Sequence, residues 1–311
     1  MKITFIGSGG LGSSTAFACG IMLSVDDIVM IDVLKNHAIS KALDLQQCMM
    51  LNGKQTKVIG GDDYKMVKDS DIIIITASVA MSKIECREQL LEYNRSVIIQ
   101  IADKLKNIIP TDDKQPLIIM LSNPMDIMLK YFIDTGGFNK KKTIGSGNLL
   151  DTYRFKYYLS ETLKIDYEKI KTYCIGQHGA KMVYLLSQTY IDNVSFFEYA
   201  KQNCIKDSCI KDIKNNATNG GLTIIKGLSS GGTFYAPAIS IIKLIYAYFN
   251  DTKQEIPVSV YCNGEYGVKD ICFGCPVIIG KNGVEKINIL DINEIEKQEI
   301  KQSCEFIKSL L

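Results

Sequence analysis

Three residues in the second half of the chain have the types that acid–base chemistry on a small carboxylic acid requires. His178 lies in Ile175-Gly176-Gln177-His178-Gly179, and an imidazole with an ordinary pKa of about 6.5 exchanges protons at neutral pH. Asp151 and Arg154 are three apart in sequence, so on one helix both can face the same cleft. There Asp151 could orient His178 and stabilise its charged form. Arg154 could grip a carboxylate through two parallel hydrogen bonds. Local spacing alone favours plainer roles: a lone histidine is more often structural, and an i,i+3 Asp–Arg pair is more often a surface ion pair.

A second constellation stands at the N-terminus. Gly7-Ser8-Gly9-Gly10-Leu11-Gly12 follows an apolar run and opens a helical one. In such a G-x-G-x-x-G, Gly7 permits the tight turn and Gly9 lets backbone approach a pyrophosphate. Gly12 lets helix and strand pack closely, and the helix N-terminus favours the negative charge. Asp32 ends the next apolar run, at the distance where a carboxylate accepts the ribose hydroxyls of NAD and repels the extra phosphate of NADP. An ordinary ligand-free βαβ unit is the competing reading, and the spacing weighs against it.

These residues must be positioned by regular elements. In the first half, strand-like runs at Ile3–Ile6, Ile28–Ile31, Lys57–Ile59, Ile72–Thr76 and Leu117–Leu121, with a weaker one at Lys142–Ile144, alternate with helical stretches near Leu11–Leu23, Lys41–Leu51 and Glu88–Asn107. Ile72-Ile73-Ile74-Ile75 has no polar alternation and predicts a strand buried on both faces. The alternation predicts an α/β fold with a doubly wound parallel sheet. The second half predicts a C-terminal α+β domain. Its helices fall near Leu149–Leu163, Phe196–Gln202, Lys206–Ile225, Pro237–Phe249 and Ile292–Leu311. A short strand is expected at Tyr173–Ile175, and antiparallel strands at Val258–Cys262, Gly264–Gly267 and Val277–Ile289, the last turning at Gly280-Lys281-Asn282-Gly283. The boundary falls at Gly145-Ser146-Gly147 and divides the chain into 1–146 and 147–311. No linker composition marks it, so the halves should share a tight interface.

Composition removes several function classes. The 311 residues carry a net charge of +2 with lysines scattered among acids, so no basic field directs the chain to nucleic acid or a membrane surface. The longest apolar candidate, Ile239–Phe249, is interrupted by Ser240 and Lys243 and is shorter than the roughly 18 residues of a membrane span. The chain starts directly as a strand, which makes a cytoplasmic enzyme the default expectation. Ten dispersed cysteines and only two histidines, His37 and His178, offer no zinc spacing. Free thiols in a reducing compartment are expected, and no metal.

Taken together the motifs resemble the lactate/malate dehydrogenase family over essentially the whole chain. The likeness is carried in order by Gly7-x-Gly9-x-x-Gly12 with Asp32 and by Lys41-Ala42-Leu43-Asp44-Leu45. It continues through Asp71–Ala77 followed by Arg87, Leu90, Leu91 and Asn94, and through Ser122-Asn123-Pro124-Met125-Asp126. Leu150-Asp151-x-x-Arg154-Phe155, Gly176-x-His178-Gly179, Ala236-Pro237-Ala238 and Pro276-Val277-x-Ile279-Gly280 complete it. The resemblance implies an NAD-dependent L-2-hydroxy-acid dehydrogenase built from an N-terminal Rossmann domain and a C-terminal catalytic domain. It further implies His178 as acid/base with Asp151 as partner, Arg154 on the substrate carboxylate and Arg87 beside the carbonyl oxygen. Asn123 would lie near nicotinamide and substrate, and Thr233 near the substrate. Thr76 and Ala77 would join Gly7, Gly9, Gly12 and Asp32 in holding NAD, and the loop Ser78–Cys86 would close over the substrate. A homo-oligomer is implied, a tetramer before a dimer.

The departures concern substrate and turnover. Ser78 stands where relatives usually have Gly, Lys83-Ile84 where they have a Gly-containing pair, Ala180 where the histidine motif has Asp, and Gln47 where many members have His. Family specificity rests six residues before the loop arginine, which here is Met81. Methionine pairs no second carboxylate, and a buried unpaired carboxylate costs several kcal/mol. An apolar group against Met81 gains only about 0.8 kcal/mol per methylene. The expectation is a lactate/pyruvate-like substrate. A malate enzyme using Lys83, and an NAD-binding relative without turnover, are the alternatives.

Overall fold

In the computed structural model, residues 1–79, 87–228 and 232–311 are described, with Arg87, Glu88 and Leu90 described by their backbone alone. The first half runs β1 (Lys2–Ile6), α1 (Gly10–Met22), β2 (Asp27–Ile31), α2 (Lys35–Leu51), β3 (Lys57–Gly61), β4 (Ile72–Ile75), α3 (Arg87–Leu105), β5 (Leu117–Met120), α4 (Met125–Gly136) and β6 (Thr143–Gly145). The six strands lie in the order β3-β2-β1-β4-β5-β6, all parallel. This is the doubly wound arrangement, whose order reverses between β1 and β4. There the loops leaving both strands diverge and open a crevice. All four residues of β4 are fully buried, as expected of a strand covered on both faces.

The second half runs α5 (Gly147–Leu163), β7 (Ile170–Lys171), β8 (Cys174–Gly176), β9 (Met182–Tyr184), β10 (Tyr190–Ile191), β11 (Val194–Ser195), α6 (Phe196–Gln202), α7 (Asp207–Leu228), α8 (Tyr235–Phe249), β12 (Gln254–Asn263), β13 (Lys269–Gly280), β14 (Gly283–Ile287) and α9 (Glu294–Ser309). β12 continues the parallel sheet by pairing antiparallel with β6 at Ser259 and Gly145. β13 follows β12, pairs β8 at Gly274 and Gly176, and carries β14 on its other register. One sheet therefore crosses from the first half into the second.

Three sequence expectations are corrected. The segment left unassigned before β6 is α4, which starts directly after Pro124 and stops at Gly137 in the left-handed conformation. Its apolar residues face the sheet on one side and α3 on the other, so its pattern lacks a clean polar face. Gly264–Gly267 is not a strand: it contains a tight turn, Glu265–Gly267, with Gly264, Tyr266 and Gly267 all at positive φ. The strand after it starts at Lys269, earlier than Val277, because its first residues pair with β12 and Ile271–Pro276 is buried, with β8 joining the other edge at Gly274.

The core that fixes α5 matters most for function. Phe155 and Leu159 of α5 are fully buried with Ile170, Cys174, Tyr184, Phe196 and Ile213, and Phe155 stacks on Tyr184 at 4.3 Å. Each such side chain contributes about 1.5–3 kcal/mol of burial. With that face anchored, Asp151 and Arg154 turn toward the junction of the two halves.

Candidate active site

The carboxyl ends of β1, β2 and β4 build a concave loop cluster from main chain. Gly7 leaves β1 at φ +105°, where a Cβ would lie 2.7 Å from the Ala77 nitrogen and 2.8 Å from Thr76 Oγ1. A Cβ on Gly12 would lie 2.0 Å from the Gly7 carbonyl oxygen, so α1 can approach β1 only with glycine there. At Gly9 a Cβ would meet nothing within 4 Å, which leaves the face of the loop open at the start of α1. Thr76 Oγ1 donates to the Gly7 carbonyl at 2.9 Å and ties the two strand ends together. Asp32 Oδ2 accepts from the Ser8 backbone and hydroxyl at 2.8 and 3.0 Å, and Oδ1 accepts from Leu34 N–H at 3.0 Å. The carboxylate is thus held at the rim of the crevice and is only partly buried. An open glycine face, an uncapped helix N-terminus and a braced rim carboxylate fit a dinucleotide.

The second cluster is made of side chains from distant segments. His178 follows β8, and its Nδ1 lies 2.6 Å from Asp151 Oδ2 on α5. An ionised carboxylate only accepts, so Nδ1 carries the hydrogen and Nε2 is the nitrogen left to exchange a proton. The His178 side chain is 18% accessible, whereas Asp151 is fully buried. Arg154 Nη1 reaches the other Asp151 oxygen at 3.5 Å, and its guanidinium lies beside Gly221 of α7. Gly147 opens α5 against the imidazole, where a Cβ would sit 2.3 Å from the ring.

A third carboxylate stands behind the histidine. Asp126, in the first turn of α4 and 2% exposed, accepts the His178 backbone N–H at 2.7 Å and the Ser259 hydroxyl at 2.6 Å. Burial pushes its carboxyl up to about 6, against the Ser259 and His178 hydrogen bonds that favour the charged form. Burial also works against the charged His178 ring. The Asp151 carboxylate, its hydrogen bond and then Asp126 outweigh burial and the opposing Arg154, and the pKa of His178 is raised. The neighbouring backbone is pinned as well: Ser303 of α9 accepts Gln177 N–H at 2.8 Å, and Asn148 donates to the Gly176 carbonyl at 3.0 Å. The Gln177 side chain donates to the His178 carbonyl and accepts from Lys181 N–H, closing the loop over Ala180.

Asn123 follows β5 and is exposed. Buried Asn94 of α3 donates to the Asn123 carbonyl at 2.6 Å and accepts from Val79 N–H at 2.9 Å. Thr233 precedes α8 and is half-buried. Met81, Lys83 and Ile84 lie outside the described residues, as does the Arg87 side chain, although Arg87 opens α3. Sequence reasoning assigned no role to Asp126, Ser259, Ser303 or Asn94. Asp126 lay inside a quoted motif but reads locally as an acid favouring a helix start.

Residues 1–145 match the family model described as lactate/malate dehydrogenase, NAD binding domain, and residues 149–311 match its alpha/beta C-terminal domain. The chain belongs to the lactate/malate dehydrogenase family. It is an NAD-dependent oxidoreductase acting on a CH–OH group, and NAD is its cofactor. The malate dehydrogenase of Pelagibacter ubique (strain HTCC1062) is 37% identical over 309 residues, covering 99% of this chain and 95% of the relative. Among solved structures, the lactate dehydrogenase of Cryptosporidium parvum with lactic acid and NAD is similar at TM-score 0.93 and 31% identity, covering 99% of this chain and 96% of that one. The malate dehydrogenase of Cryptosporidium parvum is similar at TM-score 0.92 and 33% identity, covering 99% and 97%. Family members named for either substrate thus share this backbone almost equally, and the fold does not discriminate between them.

Proposed function

We propose that this family member catalyses reversible hydride transfer between NAD(H) and a small L-2-hydroxy or 2-oxo acid, with a lactate/pyruvate-like substrate preferred. The observation that carries the reading is the Asp151 carboxylate shared between His178 Nδ1 at 2.6 Å and Arg154 Nη1 at 3.5 Å. A proton donor and a carboxylate clamp then stand side by side. NAD, when bound, supplies or accepts the hydride. His178 Nε2 gives its proton to the substrate's carbonyl oxygen or takes it back from the hydroxyl. Arg154 holds the substrate carboxylate, Arg87 polarises the carbonyl, and Asn123 and Thr233 line the substrate. The family resemblance assigns substrate choice to Met81. Residues 1–146 form the NAD-binding domain, which also carries Arg87 and Asn123, and 147–311 form the catalytic domain with Asp151, Arg154 and His178.

A second reading, oxaloacetate and malate through Lys83, is favoured by the naming of the Pelagibacter relative as a malate dehydrogenase. NADH oxidation measured against pyruvate, oxaloacetate, 2-oxoisocaproate and phenylpyruvate separates the two readings. Pyruvate or a longer monocarboxylate should lead. Met81→Arg should then raise kcat/KM for oxaloacetate relative to pyruvate by roughly two orders of magnitude, as a new buried charge pair would. If wild type prefers oxaloacetate and Lys83→Ala removes that preference, the malate reading stands instead.

The active assembly is proposed to be a homo-oligomer, a tetramer before a dimer. Leu43, Met50 and Leu51 of α2 are 59%, 71% and 91% exposed, an apolar surface of the kind a second copy covers. Light scattering that gives a monomer at micromolar concentration would defeat this. The nine described cysteines are free thiols, which supports a cytoplasmic location.

A further inference from the structure

We propose that Asp126 is a positioning residue that holds His178 by its backbone and supports the protonated form of the imidazole, with Ser259 fixing the Asp126 carboxylate. The inference rests on the role given to His178 above. Asp126 reaches His178 from α4, and both its oxygens are committed: Oδ2 to His178 N–H at 2.7 Å and Oδ1 to Ser259 Oγ at 2.6 Å. Asp151 orients the ring through Nδ1, whereas Asp126 holds the peptide that carries the ring. Only both restraints together set ring position as well as ring direction. The contact also crosses the molecule, since Asp126 belongs to the first half while His178 and Ser259 belong to the second. The geometry of the proton donor is thereby locked to the helix that follows the Asn123-Pro124 turn.

The electrostatic part follows from what surrounds the pair. Asp151 and Arg154 face His178 from α5, and Cys272 and Cys275 face Asp126 from β13. Burial holds the Cys272 thiol well up, and the hydrogen bond with the Cys262 thiol together with burial does the same for Cys275, so both stay neutral around pH 7. Lys130 and Asp134, farther along α4, pair with each other. Asp126 is therefore the carboxylate besides Asp151 that acts on His178 among the described residues. Its charge in a dry interior favours an imidazolium and disfavours the neutral ring.

The test uses Asp126→Asn, which keeps an acceptor for His178 N–H and removes the charge. Because the chain has only His37 and His178, histidine labelled with 13C at Cε1 gives two signals, and that of His178 is assigned with His37→Gln. In the full-length protein with the substitution, the His178 midpoint should fall by roughly half a unit or more. The high-pH limb of kcat/KM for 2-oxo acid reduction should move down with it, and NADH affinity by fluorescence titration should not change. An unmoved His178 midpoint, with activity lower by the same factor at every pH, would overturn the proposal and leave Asp126 a packing residue. If Asp126→Asn does not bind NADH, Ser259→Ala reads the same quantity. Loss of its hydroxyl leaves Asp126 less ionised near pH 6–7, and the midpoint should fall by a smaller amount; no shift overturns the proposal. The NMR titration reports on His178 whether or not any tested 2-oxo acid is turned over, so failure of the proposed reaction and failure of this inference are distinguishable.

Discussion

The cofactor crevice and the proton-transfer corner are built by opposite means. The crevice is made mostly by main chain at the ends of β1, β2 and β4: Gly7, Gly9 and Gly12 shape it by lacking side chains, and Asp32 follows β2. The corner is made by side chains from α4, α5, the loop after β8 and β12, brought together across the junction of the two halves. Backbone-built sites tolerate almost no added atoms but depend little on charge. Side-chain-built sites depend on a few buried charges whose balance sets the pKa of the working group. The two should therefore fail in different observables.

The largest effect is expected at His178. His178→Asn removes the proton donor and should lower kcat by about 10²–10⁴-fold, with NADH affinity intact; stopped-flow turnover and fluorescence titration together check this. In wild type the raised pKa of His178 gives the accompanying pH dependence. Reduction of the 2-oxo acid needs the protonated ring, so its rate is fully present below the ordinary imidazole range and falls only as pH rises through the raised value. Oxidation of the hydroxy acid should show the mirror-image rise. The same sign holds for stability: the contribution of the His178–Asp151 pair is present at low pH and lost as pH rises through the folded pKa.

Gly12→Ala should produce the converse defect. Its Cβ would lie 2.0 Å from the Gly7 carbonyl oxygen, and backbone rather than a flexible side chain must move. Overpacking of this kind costs about 1–3 kcal/mol. NADH affinity should drop tenfold or more and Tm should fall, while the His178 NMR midpoint of the apoprotein remains at the wild-type value. A shifted midpoint would show that the two regions are coupled, and would end the comparison as drawn.

The smallest effect, and the one that separates stability from function, is on Asp126. Its carboxyl is pushed up to about 6, so ionising it in the folded protein costs more than ionising it in the unfolded chain. That cost is fully present above pH 6 and fades as pH falls toward the unfolded carboxylate range. Asp126→Asn should therefore raise Tm at pH 7.5, by at most about 3 kcal/mol of stability. The advantage should shrink on going to pH 4.5. Scanning calorimetry at the two pH values checks this; a lower Tm at pH 7.5 would mean that the charged hydrogen bonds outweigh the burial cost.

Most of the parallel half was legible in sequence. Strands β1 to β6 and the glycine loop follow from apolar runs, glycines and spacings that act between neighbours in the chain, and such short-range constraints are written consecutively. α4 was not legible because both its faces are covered, which erases the polar stripe that marks a helix. The start of β13 was hidden because its residues gain partners only from β12 and β8.

What the sequence by itself determined is the list of chemical groups: a dinucleotide fingerprint with Asp32, a histidine, an aspartate and an arginine three apart, and an uncharged Met81 where the family resemblance puts substrate choice. What only the tertiary structure decided is which of these meet and what charge they hold. Asp151 is shared by His178 and Arg154, while Asp126 holds the histidine backbone from 52 residues away and is itself held by Ser259, 133 residues from Asp126. The physical reason is that a buried carboxylate's pKa and hydrogen bonds depend on the distance to charges and donors in space. A linear pattern records the order of those groups and carries no information on that distance.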